Sequence, residues 1–135
     1  MEELIQTIPG AQQLFDWFGY WPSFHDAEVL SVELNRSGLS KVRVHAFRAT
    51  SDVNSKGHCV LDKHCIVTLL LDEIGGVDLA DFNHQNAITR LGFERQKNAY
   101  VVTFYPAHGV TGTITAKNLS VEMTAGIPAD SQYKT

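Results

Sequence analysis

Imidazole, carboxylate and thiol side chains fall close together at two places in the sequence. In "FGYWPSFHDAEVLSVELNR", residues 18–36, His25 is followed directly by Asp26. A carboxylate that fixes the orientation of an imidazole makes a general base, so hydrolysis is one chemistry these residue types offer. Adjacency alone does not supply the geometry. If a strand has begun at Phe24, the two side chains leave on opposite faces and do not meet. Pro22 restricts Trp21 to extended backbone, and Ser23 can bond the backbone nearby. Trp21, Ser23, Phe24, His25 and Asp26 therefore read first as a rigid entry into a sheet, in which Trp21 and Phe24 cover one end of the core and His25 and Asp26, needed for local order, satisfy nearby backbone or each other through a turn. The second place is "GHCVLDKHC", residues 57–65, where His58, Cys59, His64 and Cys65 are all side chains that zinc accepts. Their spacing fits none of the common zinc fingers, and a buried cysteine usually serves as a small hydrophobe. No catalytic residue, metal or cofactor is assigned. Tyr20, Tyr100, Tyr105 and His108 read as packing and loop residues, and His45 and His84 stand in no motif.

The charge distribution says more. The chain has 135 residues, 44% hydrophobic and 19% charged, with a net charge of -4. That composition fits one globular domain over residues 1–135 with a core of its own. The basic residues are scattered and make no phosphate-neutralising stripe, which argues against nucleic acid as a partner. Between Lys63 and Arg90 there is no Lys or Arg, while Asp72, Glu73, Asp78 and Asp81 fall around Gly75-Gly76. Read as one acidic loop, these four are a docking surface for a basic partner, a weak divalent-cation site, or merely solvated. The amino-terminal stretch carries acids and is broken by Pro9-Gly10, unlike a secretory signal. The longest apolar run, "CIVTLLL", is far short of the roughly 20 residues that span a bilayer. A cytoplasmic protein with no membrane span is expected, with Cys59 and Cys65 as free thiols.

The elements that must position these groups follow from periodicity. Ala11, Leu14, Phe15 and Phe18 lie at helical spacing and Gly19 can end the helix. Leu30, Val32 and Leu34 then alternate with polar residues. Asn35–Gly38 is turn chemistry, and "KVRVHAF" returns as the second strand of an antiparallel hairpin. Residues 50–58 read as a polar loop, and Ile66–Leu71 as a central strand covered on both faces. Strands follow at "AITRLGFER" and "AYVVTFYP", separated by a turn at Gln96-Lys97-Asn98. The last strand shifts phase near Lys117-Asn118, which implies a bulge or bend. "GIPADSQYKT" reads as a frayed tail. The fold class is α+β, mostly β: a short amino-terminal helix packed on an antiparallel sheet of about six strands. Leu30, Val32, Leu34, Val42, Val44, Ile66, Leu70 and Phe104 are the expected core, with Phe15 and Phe18 joining helix to sheet.

At "WPSFHDAEV", and again at Gly112-Thr113-Ile114-Thr115-Ala116, the chain resembles the immunity protein 50 family, antidotes of bacterial polymorphic toxin systems. The resemblance runs from Leu14 to Met123. It implies a mostly β, non-enzymatic protein that binds and blocks a cognate protein toxin. With the acidic residues, a basic nuclease is a candidate for that toxin, and the protein is expected as a monomer or weak homodimer. Two other readings stay open. One is a small metal-dependent or His/Asp hydrolase using His25 and Asp26, with His108 brought near by the fold. The other is a small-molecule or carbohydrate-binding β module using Trp17, Tyr20 and Trp21.

Overall fold

The computed structural model describes residues 2–133. Two short helices, α1 (Glu3–Gln6) and α2 (Ala11–Phe18), precede six strands: β1 (Glu28–Glu33), β2 (Ser40–Val53), β3 (Cys59–Ala80), β4 (Ala87–Gln96), β5 (Ala99–His108) and β6 (Thr111–Ala125). Helix α2 matches the expected span. At this length it is not stable alone in water, and docking holds it. Leu14 and Phe18 are buried, each contributing about 1.5–3 kcal/mol, and Gly19 ends the helix at φ 83° with its N–H on the Phe15 carbonyl.

The strands close into an antiparallel barrel in the order β1-β2-β3-β6-β5-β4. A six-stranded barrel is narrow enough for side chains to fill it. Val42, Val44, Val67, Leu69, Leu71, Val102, Phe104 and Ile114 do so, fully buried. The expected β1–β2 hairpin is present, with Val32 opposite Val42. The seam between β1 and β4 is the weakest join. It has one paired position, Glu28 with Ala87, flanked by Val29 N–H to the Asn86 carbonyl and Ile88 N–H to the Ala27 carbonyl.

The core differs from expectation in two strands. Leu30 and Val32 are only half-buried and Leu34 is exposed, because β1 ends at Glu33 and a register shift between Val29 and Ser31 turns Val29 inward instead. In β3 the inward residues are Cys65, Val67, Leu69 and Leu71, leaving Ile66 and Leu70 half-buried on the outer face. The continuous apolar run hid which face was which. Residues 50–53 belong to β2 rather than to a loop.

The phase change in β6 is real. Leu119 and Val121 point inward, and so do Ala116 and Ile114, on the other side of Lys117-Asn118. Strand β3 turns with it: Glu73 has φ 55° and the register slips between Ile74 and Gly76. The Gly112-x-Ile-x-Ala segment sits on this wall. Gly112 has φ 123°, and a Cβ there would lie 1.8 Å from the Asp78 carbonyl oxygen, so no other residue fits.

The carboxy-terminal segment is docked rather than frayed. After β6 it crosses the outer face of the barrel from β3 to β1, with Pro128 and Ser131 buried.

Candidate functional site

The His25-Asp26 segment is a turn, not the start of a strand. Phe24 and Asp26 both have left-handed backbone, φ 61° and 63°. For a phenylalanine this costs about 1–2 kcal/mol, which its surroundings must offset. Phe24 is buried in tilted and edge contacts with Phe93 and Trp21, while Asp26 N–H bonds the Ile88 carbonyl and His25 N–H bonds Ser23 Oγ. No strand begins at Phe24, and through this turn the two side chains approach each other. His25 Nε2 lies 3.5 Å from Asp26 Oδ2. Both are more than half exposed, at 67% and 53%, and His25 Nδ1 is 3.4 Å from the Thr89 carbonyl. Among the described residues no hydrogen bond or ion pair links His108 to either of them. The segment therefore builds a rigid turn that projects two polar side chains from the rim.

A second constellation was not visible in sequence. Glu28, His45 and His64 form a chain on the outer face of the barrel, beneath the carboxy-terminal strap. Glu28 Oε1 is 2.7 Å from His45 Nδ1, and His45 Nε2 is 2.9 Å from His64 Nδ1. Ser131 Oγ donates to Glu28 Oε1 at 2.6 Å and Gln132 N–H to Oε2 at 2.7 Å. His45 Nδ1, Ser131 Oγ and the Gln132 N–H thus converge on one carboxylate. His64 is buried at one end: its Nε2 has no partner among the described residues. Burial, and then the proximity of His45, push the His64 imidazole below its usual value.

Tyr133 packs edge-on against Phe47 and His45 and donates its hydroxyl to the Asp26 carbonyl. Burial and the carboxylates of Asp26 and Glu28 hold its phenol above the usual range. Arg43 reaches Asp130 at 3.4 Å, so the strap is tied to both β1 and β2. No sequence signal linked Glu28 and His45 to Ser131, since the partners lie in different strands and in a tail of loop composition. The only trace was polar residues standing in otherwise apolar strands.

Asp72, Glu73 and Asp78 lie on β3 and Asp81 just beyond its end, so they form no loop. At about 3.3 Å per residue they extend over about 30 Å, several Debye lengths at physiological salt. They are a row rather than a patch. Glu73 is 3.8 Å from Lys117 at the bend. Among the described residues, no three His, Cys, Asp or Glu side chains converge as a metal-binding group. Cys59 is exposed on the β2–β3 hairpin, whereas Cys65 points into the core, where burial pushes its thiol up to about 12.

The aromatic side chains separate. Tyr20 and Trp21 line an open groove of about 620 Å³ with Phe15, Phe93 and Tyr105, over which Arg90 stacks at 4.1 Å. Trp17 stands apart, donating its indole N–H to the Lys63 carbonyl.

A small closed antiparallel barrel carrying two helices and a strap, with its polar residues displayed on walls and rim, defines a compact β-barrel domain. The family model for Immunity protein 50 matches residues 10–126, and the chain belongs to that family. Neither a curated relative nor a solved structure matches the chain significantly. No helix among the described residues is long and apolar enough to cross a membrane.

Proposed function

We propose that this chain is a non-enzymatic immunity protein that neutralises a cognate toxin of a bacterial polymorphic toxin system in the cytoplasm, by binding it. The observation that carries this reading is the family match over residues 10–126. Asp72, Glu73, Asp78 and Asp81 are the residues that attract the toxin, which on this reading is basic and a nuclease in the simplest case, since a row of carboxylates complements a substrate groove built for phosphates. His25, Asp26 and their turn serve local order. The protein acts as a monomer or weak homodimer.

The deciding experiment is co-expression with the product of the gene immediately upstream, scored by growth. Rescue by this chain supports the reading. Toxicity that persists despite soluble expression of the chain, together with no complex on mixing the purified proteins, overturns it. A second reading, a small-molecule or carbohydrate-binding module, draws support from the Phe15-Tyr20-Trp21-Phe93-Tyr105 groove. Tryptophan fluorescence titrated with an oligosaccharide panel separates the two.

A further inference from the structure

The barrel is closed, but one stretch of β3 has a strand on one side only. β2 pairs with β3 as far as Ser40 opposite Leu71, whereas β6 continues along β3 to Thr111 opposite Ala80. From Asp72 to Ala80, therefore, the edge that faced β2 carries no strand. Among the described residues, no backbone hydrogen bond from a loop or terminus reaches residues 72–80 on that edge. The corresponding stretch of β6 is protected, since the Pro9 carbonyl takes the Val121 N–H at 2.9 Å.

The direction of the free groups follows from Gly112. Its would-be Cβ lies 1.8 Å from the Asp78 carbonyl oxygen, so the Asp78 polar groups face β6. Backbone groups alternate along a strand, so the N–H and C=O of Val77 and Leu79 face the open side. From Gly76 to Ala80 the register with β6 runs without a shift, which keeps this edge regular. Among the other unpaired edges, β2 beyond His45 is broken by register shifts at Ala46/Arg48 and Ala49/Val53, the kind of irregularity that discourages pairing, and β4 beyond Ala87 lies beside Ile5 of α1 and the Trp21–Ser23 segment.

An unpaired, regular edge is a template for an added strand. Its surroundings select which strand. Asp78 lies on this stretch and Asp81 just past its end, Asp72 and Glu73 stand beyond the bend at its other end, and Val77 and Phe82 are exposed beside them, at 43% and 50%. A second copy of this chain would bring the same carboxylates against each other. An extended segment with alternating basic and apolar side chains would satisfy both the charges and the backbone.

We infer that the β3 edge from Gly76 to Ala80, beyond the bend at Glu73 and the slip at Ile74, binds a basic, extended segment of the partner protein as an added antiparallel or parallel strand. This rests on the immunity reading for the identity of the partner. It explains why the acids form a row along a strand instead of a pole: the matching ligand is long and narrow.

The test has two arms. In the first, amide hydrogen exchange is followed in the free protein and in its complex with the upstream gene product. The Val77 and Leu79 amides should slow at least tenfold in the complex. Val77→Pro removes an outward N–H without touching the β6 ladder, and should weaken binding at least tenfold while leaving the unfolding midpoint nearly unchanged. Asp78→Asn with Asp81→Asn should slow association and reduce its salt dependence without removing the protection. Protection confined to the aromatic groove or to the His25-Asp26 turn, with residues 72–80 unchanged, overturns the inference and leaves the immunity reading standing.

The second arm uses an acetylated Lys-Val-Lys-Val-Lys-Thr-Lys peptide and its Glu-for-Lys counterpart, with amide chemical shifts as the readout. If the upstream product does not bind, the immunity reading fails and the peptides decide the edge alone. Shifts at residues 74–80 with the basic peptide only support it, and shifts elsewhere or with neither overturn it. A self-associated species in sedimentation whose amide protection maps to this edge means that a second copy occupies it, which also overturns the inference.

Discussion

Replacing Glu28 by alanine tests the buried chain beneath the strap most directly. Glu28 accepts from His45 Nδ1, Ser131 Oγ and the Gln132 N–H, at 2.7, 2.6 and 2.7 Å. Each donor left buried without an acceptor costs about 1–3 kcal/mol. Ser131 and Gln132 can recover water by lifting away, but His45, wholly buried, cannot. The expected loss is therefore about 3 kcal/mol, the upper end of the range for one buried donor left without an acceptor. It has two components: a global shift in the denaturant midpoint and release of the strap. Carboxypeptidase digestion under native conditions should remove residues past Pro128 much faster in Glu28→Ala than in wild type, at denaturant concentrations where the barrel is intact by circular dichroism. Glu28→Gln keeps an acceptor for the strap and should lose less. A change under about 0.5 kcal/mol with unaltered digestion would refute the account, since it would mean that none of the three donors depends on this carboxylate.

Leu69→Ala, inside the barrel, should cost about 3–5 kcal/mol in a urea titration, and Leu70→Ala, half-buried on the outer face, about 1 kcal/mol; equal losses would contradict the inward assignment of the odd-numbered residues. One thiol of the two should react with a maleimide in the native protein, Cys59, while Cys65 reacts only on unfolding; two rapid native equivalents would contradict this. Because the His64 imidazole is held below its usual value of about 6.5, the unfolded chain takes up the proton first. The stability contributed by neutral His64 is thus full above about pH 6.5 and falls as pH drops below it. His64→Gln should flatten this part of the curve, and an unchanged slope between pH 7.5 and 5.5 would dismiss His64 as its source.

Much of the barrel was legible because periodicity records which face is buried. The β1–β2 hairpin, helix α2 and the phase change at Lys117-Asn118 were each read from spacing alone, and all three are present. Parity failed where the pattern lost its contrast. In "CIVTLLL" both faces are apolar, so nothing distinguished Leu69 from Leu70. In β1 a single bulge shifted the inward set to Val29. The strap and the Glu28-His45-His64 chain were illegible for another reason: their stabilisation comes from pairings across the whole chain, between polar residues whose local sequences describe only a turn or a strand. For His25 and Asp26 a turn that lets them meet was one reading of the sequence, but the left-handed backbone at Phe24 and Asp26 that builds it is not something propensity gives reason to expect.

The seam between β1 and β4 has a temporal consequence. Its paired position joins Glu28 to Ala87, β3 meets β6 through Cys65 and Ala125, and Ser131 must come back to Glu28. None of these contacts can be made until long stretches of chain have been brought together, so loop-closure entropy is lost before the barrel returns any of it. Folding therefore belongs to the slow class of β topologies, milliseconds to seconds, and stopped-flow refolding complete within microseconds would contradict this. A toxin already inside the cell can meet its target on a comparable timescale. On the proposed function, resistance then depends on a standing pool of finished molecules, and a cell that stopped making the chain would stay protected only for as long as that pool survived.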